Sequence, residues 1–355
     1  MSKGNPFMLS SGRIPTQYID RIINKSEIID SFTDEIPSNQ TFIITGIRGC
    51  GKSVLMADVA RTLKEEEFIV INLNIEGEMI ASFAAQLYEN RLLHKDFIKA
   101  KIEFSMLGLK IGMEKAEKPA DLENAILRMM ECVKKKGKRV LIAIDEVISN
   151  TEMRKFGNLY STLVRNDLPV FLVMTGLPME VNSVINSKTL TFLTRAPKLK
   201  LEPVNFTAVR NAYEKVFADR ETSEKMALMV QGYPFAFQLL GYLFWEARIT
   251  DKKAAIEDII DDFDARLAEG AYEKIWNDMS DGEKRFAVSM ALTDSDNVQD
   301  NREKLGITSQ SFNNTKRRLL EKCVLDESGH GKIRFLLPRF SEFITSKIKE
   351  EDILL

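Results

Sequence analysis

The chain has 355 residues, 44% hydrophobic and 29% charged, the balance of a folded, water-facing protein long enough for two or three cores. A formal net charge of −2 excludes a globally basic nucleic-acid coat, and two histidines leave little room for histidine-centred catalysis or a zinc site. Three scattered cysteines without metal or redox spacing, and an N-terminal stretch without an apolar signal-type run, lead us to expect reduced thiols in a cytoplasm.

The first two hundred or so residues alternate short apolar runs with helical patterns. Strands are expected at "TFIIT" (41–45), "FIVINL" (68–73), "RVLIAI" (139–144), "PVFLVM" (169–174) and "KLKLE" (198–202), all rich in Ile, Val and Leu. Between them, "SVLMADVARTLKEE" and "DLENAILRMMECVKKK" read as amphipathic helices. Continuous apolar strands separated by helices predict an α/β fold with a mainly parallel sheet covered on both faces. "FSMLGLKIGM" (104–113) breaks the rhythm and suggests a short hairpin or an insertion. After "LEPVNF" the pattern is helical from Thr207 to about Asp278, interrupted at "QGYPF". Ser280 with Glu283 has capping-box spacing and opens a third region. The expected division is 1–203, 204–279 and 280–355.

Gly46, Gly51, Lys52 and Ser53 satisfy G-x-x-x-x-G-K-[ST], placed between a strand and a helix as that motif requires. Such a loop turns the backbone N–H groups of Gly46, Ile47, Arg48, Gly49, Cys50, Gly51 and Val54 toward phosphates, helped by the positive end of the following helix. Lys52 then reaches the β- and γ-phosphates of ATP, and the Ser53 hydroxyl ligates Mg²⁺. "LIAIDEV" supplies carboxylates at the C-terminal end of a strand, where a parallel sheet presents its ligands. Asp145 is expected to hold Mg²⁺ through water and Glu146 to act as general base on the attacking water, which favours hydrolysis over transfer to a small acceptor.

These motifs, together with "YIDRIINKSEII" (18–29), "FLVMTG" (171–176), "TRAPKLKLEPV" (194–204) and "GYPFAFQLLGYLFW" (232–245), resemble AAA+ ATPases of the STAND and origin-initiator type. The likeness is strongest to the archaeal and bacterial ATPase family with a C-terminal winged helix. The resemblance implies a P-loop NTPase (AAA+) parallel-sheet base domain, a helical lid and a winged helix-turn-helix. It places Ile19 and Arg21 near the adenine, Thr175 as the sensor-one residue near the γ-phosphate, and Pro234 of the G-x-P lid motif against the base. It makes Arg195 the candidate arginine finger for a neighbouring subunit, a contribution of about 10³–10⁵ in rate where one operates. Plainer readings stand beside these: a surface helix residue for Arg21, a strand-end threonine for Thr175, a helix corner for "GYPF". No lid arginine matches the usual sensor-two position, which suits slow turnover and a switch better than a processive motor.

In 280–355, "SDGEKRFAVSMAL", "VQDNREKLG" and "TSQSFNNTKRRLLEKCVL" read as three helices, with Phe312, Leu319 and Leu320 as core contacts. "VLDESGHGKIRFLL" reads as a two-stranded wing turning at Ser328-Gly329. A third helix of this kind offers Gln310, Asn313, Asn314, Lys316, Arg317 and Arg318 to duplex DNA, with Lys332 and Arg334 on the wing. Against that stands the charge: 13 Lys+Arg and 13 Asp+Glu from Ser280 to Leu355, where dedicated DNA-binding domains are basic. The expected protein is therefore an ATP switch governing a DNA-binding winged helix, possible self-association included. Its alternative is a STAND-type regulatory ATPase whose winged helix makes protein contacts or autoinhibits.

Overall fold

The computed structural model describes residues 4–10, 12–99, 119–187, 190–293, 295–327, 329 and 331–351. The hairpin or insertion expected at 104–113, and Ser328 of the expected wing turn, lie outside the described residues. The chain divides into two compact units. One comprises Arg21–Thr45 and Lys52–Lys200; the other comprises Met1–Asp20, Gly46–Gly51 and Leu201–Leu355.

The first unit is built on five parallel strands in the order β2-β3-β4-β1-β5. They are β1 (Thr41–Thr45), β2 (Ile69–Leu73), β3 (Val140–Ile144), β4 (Val170–Gly176) and β5 (Lys198–Lys200). Every residue of β1, β3 and β4 is buried, so no polar alternation was needed or found in these strands. The helices of this unit are α1 (Ile22–Thr33), α2 (Lys52–Glu65), α3 (Met79–Tyr88), α4 (His94–Lys99), α5 (Pro119–Lys135), α6 (Thr151–Arg165) and α7 (Pro178–Ile185). Met129, Phe156 and Leu159 from these helices share a buried core with Ile43, Ile142 and Leu172 of the sheet. Asp58 of α2, fully buried, is ion-paired to Lys25 of α1 at 3.0 Å and to Arg61 at 2.6 Å. That pairing offsets the cost of taking its charge out of water.

Strand β4 runs two residues beyond the expected stretch, because Thr175 and Gly176 continue the ladder opposite Ile44 and Thr45 of β1. Ile144, the last residue of β3, lies opposite Met174. The C-terminal ends of β1, β4 and β3 therefore share one sheet edge, with β4 in the middle.

Among its described residues, the regular structure of the second unit is helical apart from one ribbon. Helices α8 (Phe206–Phe217) and α9 (Arg220–Val230) start at Asn205 and Asp219, whose side chains accept the orphan N–H groups of Thr207 and Thr222. The expected break at "QGYPF" is real: Gln231 and Gly232 have φ of 47° and 74°, and α10 (Pro234–Thr250) begins with proline in its first turn. Near the N-terminus, the Phe7 ring lies 5.6–5.8 Å from those of Tyr213, Phe217 and Phe237. After α11 (Ile260–Leu267) comes a π-helical turn, Ala268–Tyr272, and then α12 (Glu273–Asn277).

Three helices follow, α13 (Asp281–Thr293), α14 (Val298–Leu305) and α15 (Ser309–Glu321). An antiparallel ribbon of β6 (Leu325–Glu327) and β7 (Ile333–Phe335) comes next, and α16 (Phe340–Glu351) closes the region. This is the element order of a winged helix. Gly306 ends α14 at a φ of 59°, and Thr308 caps α15 by accepting the Ser311 N–H. Phe312 and Leu319 are buried as expected, whereas Leu320 is only half-buried. The region is tied to the helices before it. The Tyr272 hydroxyl donates to the Pro338 carbonyl at 2.6 Å, Arg339 pairs with Asp264, and Lys347 with Glu273 at 2.8 Å.

The capping box is formed: the Ser280 N–H donates to Glu283 at 2.8 Å, and the Glu283 N–H reaches the Ser280 hydroxyl at 3.4 Å. Lys322 of the turn after α15 donates to the same carboxylate at 2.7 Å. Burial pushes the Glu283 carboxyl up, but Lys322 and Ser280 more than reverse this and leave it below the ordinary range. A depressed carboxyl stabilises the folded state at neutral pH, and that contribution is lost as pH falls through the depressed value. Glu283→Ala is expected to cost about 2 kcal/mol at pH 7 through the lost cap and the stranded Lys322 ammonium. The difference from the parent, read from chemical denaturation, should shrink as the pH is lowered.

Candidate functional site

Asp145 is the first residue after β3 and is half-buried, while Glu146 beside it is exposed. Glu146 has a φ of 52°, a left-handed conformation that is uncommon for a residue with a Cβ and persists only where neighbours enforce it. The neighbour is Thr175. Its hydroxyl accepts the Glu146 N–H at 3.1 Å and donates to Asp145 Oδ1, and its carbonyl accepts the Val147 N–H at 2.8 Å. Thr175 is fully buried. A hydroxyl has one proton to give, and here Asp145 has it. The parallel register brings these residues together, with Thr175 at the end of the middle strand and the acidic pair at the end of the next. The sequence suggested a threonine near a phosphate; its grip on the acidic pair depends on strand order, which no local pattern reveals.

Lys52 opens α2 directly after the glycine loop and is 8% exposed; Ser53 follows, half-buried. A lysine in the first turn of a helix sits where the helix dipole disfavours a cation, so an anion is the natural counterpart there.

The loop Gly46–Gly51 has positive φ at its three glycines, 156°, 75° and 92°. Within it, the Cys50 N–H returns to the Ile47 carbonyl at 3.3 Å, and Gly49 at a φ of 75° makes this a type II turn. Its companions in the same unit are the residues that start α10. The Tyr233 hydroxyl donates to the Arg48 carbonyl at 2.8 Å and the Phe235 N–H to the Gly49 carbonyl at 3.2 Å. A Cβ on Gly49 would stand 2.3 Å from the Tyr233 hydroxyl oxygen, so the approach admits only glycine. Pro234, expected against the base, is the nearest neighbour of Gly51, 3.9 Å from the place of a Cβ. The Phe235 ring continues onto Gly270 of the π turn, where a Cβ would meet Phe235 Cζ at 2.5 Å. Neither Tyr233 nor Phe235 was singled out from sequence, although both flank the proline of a stretch that was.

The remaining expected residues are placed as follows. Ile19 is half-buried in the segment before α1, and Arg21 is the half-buried residue at the start of α1. Arg195 ends the 3-10 turn Thr191–Arg195 and is exposed. On α15, Gln310, Asn313, Asn314, Arg317 and Arg318 are exposed and Lys316 is half-buried; on the ribbon, Lys332 and Arg334 are exposed. Most of this positive charge is already answered by acids of the same region. Lys316 pairs with Glu327 at 2.8 Å, Arg317 with Glu321 at 3.8 Å, Lys332 with Asp296 at 3.7 Å and Arg334 with Asp326 at 3.1 Å. Among the described residues, no group of three or more His, Cys, Asp and Glu is placed to hold a metal, and no helix is long and apolar enough to cross a membrane.

Residues 28–166 match the model of an ATPase domain found predominantly in Archaea, and residues 269–344 match a domain of unknown function. No curated protein matches the chain in sequence. Among solved structures, a Walker-type ATPase of Pyrococcus abyssi superposes with a TM-score of 0.66 at 14% identity, covering 92% of this chain and 96% of that one. The ORC2 protein of Aeropyrum pernix, in ADPNP–ADP complexes, superposes with a TM-score of 0.61 at 11% identity over 97% and 98%. Cdc6p of Pyrobaculum aerophilum gives 0.52 at 14% identity over 97% of each chain. The fold is the AAA+ P-loop fold shared with these structures, as the sequence led us to expect.

Proposed function

We propose that the chain is an ATP-binding and ATP-hydrolysing switch of the AAA+/STAND type whose nucleotide state sets the behaviour of a C-terminal winged-helix domain. One observation carries the reading. The turn that begins α10 touches the glycine loop through Tyr233 and the Phe235 N–H, and the same Phe235 lies on Gly270 of the π turn leading to Tyr272 and Pro338. A change at the loop thus has a packed, hydrogen-bonded route to the C-terminal region.

In this reading residues 1–203, 204–279 and 280–355 act as base, lid and winged helix. The loop N–H groups of Gly46 to Gly51 and of Val54 cradle the phosphates, and Lys52 neutralises the β- and γ-phosphates. Ser53 directly, and Asp145 through water, would hold Mg²⁺, which would supply neutralisation of the phosphate charge. That ion takes most of its ligands from water and phosphate, so one hydroxyl and one carboxylate are a fitting protein share. Glu146 orients and deprotonates the attacking water, Thr175 fixes Asp145 and Glu146 against each other, and Ile19, Arg21 and Pro234 lie at the base. Arg195, exposed at the end of its turn, serves as the finger for a neighbouring copy.

For the winged helix, duplex DNA is the first partner, reached by the exposed polar residues of α15 and the ribbon. The second reading, a protein partner or autoinhibition, is favoured by the ion pairs of Lys316, Arg317, Lys332 and Arg334, which leave little net charge on that face. Exposed pairs are weak, so phosphates can compete for these cations, but each exchange forfeits part of the gain. Comparing the full chain with ATP, ADP and no nucleotide, for oligomer size and for binding to duplex DNA across a salt series, tests both readings. DNA binding through six such contacts is expected to weaken with a log–log slope of about −5. Binding that is undetectable at low salt in every nucleotide state sinks the DNA reading. If oligomer size, DNA binding and protease sensitivity are all blind to nucleotide, the switch itself falls.

A further inference from the structure

We infer that Tyr233 is a positioning residue of the phosphate loop: its hydroxyl sets which way the Arg48–Gly49 peptide faces, and so whether the Gly49 N–H is available to a phosphate oxygen. The inference rests on the ATP reading above and adds a residue to which no role has been given.

A trans peptide points its C=O and the next residue's N–H in opposite directions. The central peptide of the turn Ile47–Cys50 is the one joining Arg48 to Gly49. Its orientation is what distinguishes a type I turn from a type II turn, and the latter needs a positive φ at the third residue. Gly49 has that φ, 75°. In isolation a glycine at this position leaves the peptide free to flip. Here the Arg48 carbonyl is held by the Tyr233 hydroxyl at 2.8 Å, which turns the Gly49 N–H away from the tyrosine. The following carbonyl, of Gly49, is held by the Phe235 N–H at 3.2 Å.

The clamp is built to be specific. Tyr233 is 4% exposed, with its ring among protein atoms, and burial keeps the phenol neutral, so its proton stays available for donation. The preceding Gln231 and Gly232 adopt left-handed conformations, and Pro234 fixes the first turn of α10. The tyrosine is therefore delivered by a rigid corner. A part-buried carbonyl that loses this donor favours another orientation, and the type I alternative removes the Gly49 N–H from the cradle. Tyr233 acts on phosphate through this peptide alone.

Tyr233→Phe keeps the ring and deletes the hydroxyl. In the full chain, titrated with Mg-ATP and with Mg-ADP, we expect both dissociation constants to rise about five- to tenfold, the value of one hydrogen bond. KM for ATP should rise more than kcat falls, and the melting midpoint without nucleotide should fall by no more than the few degrees that one lost hydrogen bond accounts for. Unchanged affinity for both nucleotides, in an assay where Lys52→Ala weakens binding about 100-fold, overturns the role of Tyr233 and leaves the ATP reading standing. If the parent itself binds neither nucleotide, the ATP reading falls and this inference with it. Hydrogen exchange on the parent gives a test independent of the variant. ADP should protect loop 46–51 and the corner 231–236 with one half-saturation concentration, and protection of the loop alone overturns the clamp.

Discussion

Replacing Glu146 with glutamine is expected to lower ATP turnover by about 10²–10⁴-fold, the usual contribution of a general base, while ATP still binds. The substitution is nearly isosteric, and the residue's backbone is anchored independently of its side chain. The Glu146 N–H bonds to Thr175, and Val147 beyond it bonds to the Thr175 carbonyl, so a left-handed φ of 52° is retained in the variant. Only the ability to accept a proton is removed. Phosphate release under saturating ATP gives the rate, and direct titration gives the affinity. The variant should accumulate the ATP-bound state, and whatever property of the C-terminal region responds to ATP should then persist instead of decaying. Turnover at the parent rate would place the base elsewhere. A loss of affinity matching the loss of rate would make Glu146 a binding residue, since uniform losses in binding and rate differ from a loss confined to the chemical step.

The strands were legible because burial on both faces leaves an unbroken apolar run, as in "TFIIT" and "VLIAI", and because a glycine loop followed by a helix has few other meanings. Helix starts were legible where a side chain does the capping, as at Ser280 and Thr308. What was not legible depends on partners far apart in the chain. Thr175 looked like a residue near a phosphate, but the proton of its hydroxyl goes to Asp145, thirty residues earlier, because β4 lies beside β3. Pro234 stands out in the sequence and Tyr233 does not, since proline announces a backbone constraint and a tyrosine announces only bulk. Its meaning comes from the Arg48 carbonyl, 185 residues away. The cations of α15 and the ribbon read as a DNA-facing set, and only the fold shows their acidic partners: Glu327 at Lys316, Asp326 at Arg334 and Asp296 at Lys332. In each case local chemistry gave the residue type and tertiary contact gave the job.

Lys52→Ala is expected to weaken ATP binding by about 100-fold, and the reason is electrostatic more than steric. Lys52 is 8% exposed at the first position of α2, so its ammonium is held where water screens poorly and where the helix dipole already opposes it. A triphosphate is the partner that reverses this penalty. One or two charge-assisted hydrogen bonds, at about 1.5–3 kcal/mol each, amount to one to three decades or more of affinity. Alanine is a strong helix former, so α2 keeps its start and the fold is not the casualty. Ligand-induced stabilisation separates the two effects. At an ATP concentration about 100 times the parent's dissociation constant, the parent gains about 2.7 kcal/mol, and a variant weakened 100-fold gains only about 0.4 kcal/mol. The ligand-free chains should unfold at similar midpoints, because alanine keeps the start of α2. A parent-like shift with ATP would mean that the loop is not where the phosphates bind, and the roles given to Ser53, Asp145 and Tyr233 would fall with that of Lys52.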